Sequence, residues 1–407
     1  MPHPFIRFLL GIAAVILPSL LALAADDTIQ QCKPGPWGRI EYRTIYLEAP
    51  EWLIEKFPLP GTQPRFCFAS ADEEEVRRFL TEAGVETAMV SRWLDDPRCQ
   101  VLDGFLATFP SATDVESLSG RARSIIYPEL AKVPLNEFFH DPIFVSGSSV
   151  EEWLRGSSMP PEIVALIAKL TYLEGDALIF SNLSTLISHA QSEAEARSWL
   201  KDITRTKALI ASLRIGPDDD IKAVAEYWTA GRRRKDMLPL LESIAHTPDG
   251  GQLDLMHLLP AQARKLLYTY PSPDMALLGQ NTNCHWTSLN FFNFAAQNIY
   301  LDLKLAATGV LANYSPIPTA AELGDVIFFL DAGGDAFHSC VYVADNLVYT
   351  KNGDNPIAPW ILTTIEDVKQ VYLRKPGAKI AAFRLNESRK SGSLPRITDS
   401  RKRASNR

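Results

Sequence analysis

The sequence has few cysteines, no excess of positive charge and no long apolar segment after its first 24 residues. Its 407 residues carry a formal net charge of -7, and 46% of them are hydrophobic. This balance is ordinary for a globular protein and argues against a dedicated nucleic-acid binder, which usually carries an excess of Lys and Arg. A bilayer span takes about 20 apolar residues, so we expect no transmembrane segment beyond the start of the chain.

The first 24 residues are typical of a secretory signal peptide. A short polar region containing Arg7 precedes an apolar run over residues 8–23, and Ala22-Leu23-Ala24 forms a small-x-small cleavage site. The competing interpretation is a membrane anchor, which is disfavoured because the run is shorter than a span of about 20 residues. We therefore expect cleavage and an exported protein, periplasmic or extracellular.

Only five cysteines are present: Cys32, Cys67, Cys99, Cys284 and Cys340. An odd number in an exported chain leaves at least one thiol unpaired. The simplest arrangement is one disulfide among the first three cysteines, in a pairing that the sequence leaves open. Cys284 is then kept as a free thiol.

The length and the period of the apolar residues predict an α+β, multidomain protein. Residues 25–147 combine an alternating strand pattern at residues 39–47 with an amphipathic helix at residues 72–84. We expect this segment to be an α+β N-terminal domain of unknown role.

The middle of the chain, residues 148–252, predicts a helical module. Ser149 and Glu152 resemble a capping box at its start. Further helices are predicted at residues 192–213, 219–229 and 235–245. No internal repeat is found.

Residues 253–386 form the third folded segment, with a helix at residues 260–268, a helical pattern beginning at Cys284 and a run of strands. Residues 387–407 are rich in Arg, Lys and Ser and have few apolar side chains, which predicts a disordered basic tail. A solvated tail is the simpler interpretation, and weak contact with an anionic envelope surface is the alternative.

Cys284 and His338 are the most informative pair of residues in the chain. Cys284 stands at a predicted helix start, where unpaired N–H groups and the helix dipole favour a thiolate. His338 opens a later strand, and an imidazole can take the thiol proton and return it to a leaving group. The pair predicts a nucleophilic cysteine site.

The strand that begins at His338 is followed by a turn at residues 344–346 and a return strand. If the turn holds all three residues, Asn352 lies opposite His338, and Thr350 lies two residues earlier on the same face. A polar side chain there can orient the imidazole, so Asn352 is the first candidate and Thr350 the second. If the turn holds two residues, the register slips by one and Lys351 takes that face instead.

These segments resemble the NlpC-type cell-wall cysteine peptidases, which have a papain-like fold with the nucleophile helix packed on an antiparallel sheet. In that family a cysteine opens a helix, Gly-Asp precedes an apolar strand ending in Phe-Phe, and a histidine opens the next strand of a hairpin. Here Cys284, residues 324–329, His338 and residues 347–352 match in order, within a segment of about residues 268–385. The resemblance implies hydrolysis of an amide bond in peptidoglycan stem peptides, without metal or cofactor. A related amidase group uses the same Cys-then-His order.

The chain departs from this family directly behind the nucleophile. The family usually has Asp-Cys-Ser-Gly, whereas this chain has Asn283-Cys284-His285-Trp286. The oxyanion of the reaction would be stabilised by the Cys284 backbone N–H and one neighbouring donor, for which Gln280 and Asn283 are candidates.

Two functions therefore follow from the sequence. The first is an exported cysteine hydrolase whose partner is peptidoglycan or another peptide substrate. The second is a catalytically inactive envelope-binding or scaffold protein that retains the fold. The long segment before residue 253, which has no assigned role, motivates the second hypothesis.

Overall fold

The computed structural model describes residues 28–140, 142–145, 147, 149–230, 234–272, 281–374 and 377–386. The predicted signal peptide, the predicted basic tail and Gln280 lie outside the described residues. Within these ranges no helix is long and apolar enough to cross a membrane.

The described chain has mixed α+β structure, and its strands form four antiparallel sheets. The strands β1 to β16 are, in chain order, Gln30–Gln31, Arg39–Leu47, Phe66–Phe68, Gln100–Leu102, Phe105–Thr108, Ile143–Phe144, Tyr172–Glu174, Ala177–Phe180, Thr206–Ile215, Gly251–Asp254, Tyr314–Ile317, Val326–Leu330, Ala336–Ala344, Leu347–Lys351, Trp360–Thr364 and Lys379–Leu385.

The α-helices connect these strands and cover the sheets. They are Glu51–Lys56, Glu73–Glu82, Thr87–Leu94, Ala112–Ser117, Gly120–Leu130, Glu137–His140, Val150–Trp153, Pro161–Leu170, Leu183–Ile187, Glu193–Ile203, Ile221–Thr229, Arg234–Ala245, Ala261–Leu266, Cys284–Leu289, Leu303–Asn313 and Ile365–Tyr372. Two short 3₁₀ helices lie at Leu255–His257 and Asn298–Leu301. Below, Cys284–Leu289 is called the Cys284 helix and Ile365–Tyr372 the Tyr372 helix.

Two large buried cores organise these elements. The first core is built from buried apolar residues between positions 49 and 203 together with Ile357, and Tyr270 packs against it. The second core gathers apolar residues between positions 209 and 362, together with Ile40 and Tyr42 of β2. The boundary predicted after residue 147 therefore falls within the first core, and β2 joins the core of the later part of the chain.

The middle of the chain is not purely helical, contrary to the prediction. Strands β7 and β8 lie within it, and the helix predicted over residues 192–213 ends at Ile203. The next residues form β9, which pairs with β2 from Leu47↔Thr206 to Arg39↔Arg214. The Ala and Leu content of β9 suits a helix, but pairing with a strand distant in sequence overrides such local preference. The predicted helix cap at Ser149 is confirmed, since the Ser149 hydroxyl accepts a hydrogen bond from the Glu152 N–H.

The disulfide expected among the first three cysteines is absent, because all five cysteines are free thiols. Cys67 is fully buried with Ala107 and Val133 in a small cluster. Cys32 packs against the second core and Cys99 against the first. The three thiols thus lie in three different packing environments.

A six-stranded sheet positions the candidate site, with strand order β11-β16-β12-β13-β14-β15. On one face the Cys284 helix contributes Trp286 to the second core, which also contains Val341 of β13. On the other face the Tyr372 helix covers β13, where Val368 packs with Cys340. Side chains of β13 alternate between these faces, so His338 shares the face of Cys340.

The Gly-Asp pair before β12 has a structural role. Gly324 has a φ of 93°, and a Cβ atom there would meet the ring of Phe292. Asp325 is buried, accepts two backbone N–H groups of the preceding turn at 2.9 Å, and receives 2.7 Å bonds from Nε and Nη2 of Arg384. This bidentate pair ties the start of β12 to β16.

Candidate active site

Cys284 begins a six-residue helix, as the sequence predicted. Asn283 is the N-cap of this helix, and its Oδ1 atom accepts the Trp286 N–H at 2.9 Å. The Asn283 oxygen is thereby engaged within the helix, and the Nδ2 group of the same side chain is the donor that an oxyanion would need. The other side-chain candidate, Gln280, lies outside the described residues.

Cys284 is buried, and its sulfur lies next to the backbone N–H of Ser339 in β13. Burial raises the pKa of Cys284 to about 11, although the backbone N–H groups of Ser339 and His285 act on the sulfur in the opposite direction. The expectation that the helix start favours a thiolate therefore fails in this closed site, because desolvation outweighs the N–H groups.

The register of β13 and β14 next to the site is the one predicted by the three-residue turn. Val341 pairs with Tyr349, and extending this register places Asn352 opposite His338 and Thr350 two residues earlier. Nearer the turn, a bulge shifts the pairing by one residue, so the turn itself holds two residues. The bulge compensates for the shorter turn.

Thr350 is the residue that contacts the imidazole of His338. Thr350 Oγ1 lies 3.3 Å from His338 Nε2, and it donates a hydrogen bond to the Ser339 carbonyl, also at 3.3 Å. A hydroxyl that donates to a carbonyl accepts from Nε2–H, which leaves Nδ1 of the neutral imidazole as an acceptor. Nδ1 has no hydrogen-bond partner among the described residues. Thr350 thus holds the ring in the form that a general base requires.

Asn352, the first candidate for this role, is not hydrogen-bonded to His338. Its Oδ1 atom is buried and makes no hydrogen bond within the described part of the chain. Asn352 lines a neighbouring cavity instead. Of the two residues proposed to orient the imidazole, the structure brings only Thr350 into contact with it.

His338 is fully buried beneath Tyr372. The two rings are stacked, with centroids 3.7 Å apart and an angle of 7° between their planes. Burial lowers the pKa of His338 well below its usual value, and the nearby His285 lowers it further. In the residues described, no hydrogen bond joins His338 to the Cys284 sulfur. At neutral pH the pair is therefore a neutral imidazole and a neutral thiol.

A second group of polar residues lies on the face of the Cys284 helix. His285 Nδ1 is 3.0 Å from Ser339 Oγ, which donates to Ser288 Oγ at 3.0 Å. The His285 ring also stacks on Phe328. These contacts anchor the helix to β13, so His285 has a packing role.

Lys351 lies on β14, and its ammonium group is buried. Its Nζ donates to the carbonyl groups of Gly353 and Asn355 at 3.1 and 2.9 Å and lies over the Trp360 ring. Burial lowers the pKa of Lys351 to about 8, while the negative charge of Asp354 raises it. Lys351 fixes the loop after β14 and does not take the place beside His338.

A cavity of about 470 Å³ lies between the first core and this end of the sheet. Tyr372 and Asn352 form part of its wall, together with Phe337. Because Tyr372 also stacks on His338, its ring separates the cavity from the imidazole. Moving this one side chain would open the cavity onto His338.

Tyr372 is the site residue that the sequence reasoning missed. A signal for its helix was present, since Thr364 caps it by accepting the Asp367 N–H at 3.0 Å. Val368 and Tyr372 are four residues apart and so share one helix face. That pattern predicts a packed tyrosine, but not the histidine on which it packs.

Thr350 and Asn352 are separable by mutation. We expect Thr350→Val to lower kcat for amide hydrolysis by about tenfold or more, because the imidazole loses the partner that fixes its orientation. A general base contributes about 10²–10⁴-fold to the rate, and loss of orientation removes part of that contribution. Asn352→Ala should leave the pH profile of kcat unchanged. Steady-state kinetics of both variants across pH is the measurement, and the reverse order of effects would make Asn352 the orienting residue.

Comparison with known proteins gives no relative for this chain. No protein-family model matches it, no curated protein is similar to it and no solved structure matches its fold.

Proposed function

We propose that this protein is an exported cysteine hydrolase that cleaves an amide bond, with peptidoglycan stem peptides as the expected substrate. The observation that carries the proposal is the state of His338. Its Nε2 atom faces Thr350, while its Nδ1 atom has no partner in the described chain. The Cys284 thiol is buried at the start of the helix that packs on the same strand, β13. A ring nitrogen that can accept a proton and a thiol are the two groups that nucleophilic catalysis needs.

The proposed reaction follows from these groups. Cys284 attacks the carbonyl carbon of the substrate as His338 Nδ1 takes the thiol proton, and the imidazolium then protonates the leaving amine. Water hydrolyses the acyl-enzyme with His338 again acting as the base. The Cys284 backbone N–H and one neighbouring donor would stabilise the oxyanion. The proton moves during attack, because both groups are neutral beforehand.

A second candidate function is a non-catalytic envelope-binding protein that retains the fold. The closed site favours it, since His338 is 0% exposed and Cys284 is 4% exposed. A hydrolase must open this site to admit a carbonyl group, whereas a binding protein need not. Tyr372 is the side chain that the hydrolase has to move.

Purified cell-wall sacculi distinguish the two functions. The hydrolase releases stem-peptide fragments and loses this activity on Cys284→Ala substitution. The binding protein releases none, and its retention on sacculi is the same with and without the Cys284 thiol.

A further inference from the structure

The 470 Å³ cavity beside Tyr372 has an apolar body. Phe144, Phe180 and Ile203 line it from the first core, and Phe337 lines it from the C-terminal sheet. A volume of roughly 300–1,000 Å³ with mainly apolar walls and a few polar groups is typical of small-molecule sites. The phenylalanine side of the cavity suits an aliphatic or aromatic chain.

Arg374 supplies the charge of this cavity. Its guanidinium group lies over the Phe144 ring at 4.5 Å, and Nε is 3.5 Å from a carboxylate oxygen of Glu174. Its Nη1 atom is buried and has no hydrogen-bond partner within the described ranges. Buried donors are nearly always paired in folded proteins, so an unpaired guanidinium nitrogen in a cavity wall indicates a missing acceptor.

The other polar groups of the lining do not compensate this donor. Arg205 donates to Glu48 at 2.6 Å and to the Arg155 carbonyl at 3.0 Å. The ion pair of Arg374 with Glu174 is longer, at 3.5 Å, and within the described residues neither Nε nor Nη1 of Arg374 makes a hydrogen bond. The negative charge of Asp354 raises the pKa of the buried Lys351 ammonium, so Asp354 interacts with Lys351. Arg374 is therefore the lining residue best placed to take an anion.

We propose that the cavity binds a carboxylic acid with an apolar chain, its carboxylate on Arg374 and its chain along the phenylalanine wall. The guanidinium fork matches a carboxylate, and stacking on Phe144 holds the fork in place. As a statement about substrate class, this rests on the proposed hydrolase. The substrate would then be an amide with two parts. An apolar part that bears a carboxylate lies in the cavity, and the amide carbonyl that Cys284 attacks lies on the other side of Tyr372.

Calorimetric titration of the full-length Cys284→Ala protein with decanoate tests this inference without turnover. We expect saturable binding at one site, with affinity rising about fourfold for each CH₂ between hexanoate and decanoate, as expected for burial of methylene groups. Arg374→Met should weaken decanoate binding at least about tenfold, the effect of a hydrogen bond to a charged group, and leave 1-decanol binding unchanged. Arg264→Met, an exposed arginine outside the cavity, is the matched control.

Equal affinity for decanoate in the Arg374→Met and Arg264→Met variants would overturn the carboxylate site, and so would the absence of saturable binding. The two proposals fail separately. Decanoate binding without any hydrolysis contradicts the proposed function alone. Hydrolysis of stem peptides without decanoate binding contradicts the cavity assignment alone.

Discussion

Replacing Cys284 with alanine is expected to reduce amide hydrolysis by at least about 10⁴-fold, since removal of a nucleophile in a hydrolase costs on this order or more. The sulfur is the nucleophile of the proposed mechanism, and it lies next to the backbone N–H groups of Ser339 and His285. Without the thiol, His338 can act as a base toward water alone, so no acyl-enzyme forms.

Folding of this variant is not expected to limit the result. Cys284 is buried at the first turn of its helix, and alanine keeps the helix start and the Asn283 cap. Release of stem-peptide fragments from sacculi is the measurement, with Cys99→Ala as the matched thiol control. Full activity of the Cys284→Ala protein would remove Cys284 from the mechanism.

Tyr372→Ala is expected to expose the candidate site and to raise the rate at which iodoacetamide alkylates Cys284 by about tenfold or more. Reactivity of a cysteine depends on access as well as on its thiolate fraction. The Tyr372 ring covers His338 and forms part of the cavity wall. Removing the ring should therefore open the cavity onto His338 and admit the reagent. Mass spectrometry of the Cys284 peptide gives the rate.

Loss of a buried aromatic ring also destabilises the fold, by about 3–5 kcal/mol for large-to-small core substitutions. Labelling of Cys67, which is 0% exposed in a separate cluster, reports any global opening. Tyr372→Phe keeps the ring and should leave the rate unchanged. An unchanged Cys284 rate in Tyr372→Ala, with Cys67 still protected, would show that Tyr372 does not control access.

The local features of the site were predictable because they depend on near neighbours in sequence. The helix start at Cys284 and a strand that contains His338 follow from residue type and period. The pairing register of β13 and β14 beside the site was also predicted. The bulge near Val343, which lets a two-residue turn keep this register, was not predicted.

The features that escaped prediction depend on contacts between distant segments. Most of β9 was predicted to be helical. Its pairing with β2 joins residues far apart in sequence, so the local sequence pattern does not reveal it. The stacking of Tyr372 on His338 and the burial that raises the pKa of Cys284 arise in the same way. The thiolate expectation used the helix start alone and omitted desolvation, which is the larger effect in this closed site.

The central claim is that His338 serves Cys284 as a base. Its most direct test is the pH dependence of Cys284 alkylation in the full-length protein and in His338→Gln. Without a base the thiol should become reactive only as pH rises toward its pKa of about 11, because burial holds it protonated below that range.

With His338 present we expect alkylation of Cys284 at pH 7.5 to be about 100-fold faster than in His338→Gln, the lower end of the general-base range. The two profiles should converge at high pH, where the thiol ionises without help. Superimposable profiles across the whole pH range would contradict the pairing of Cys284 with His338.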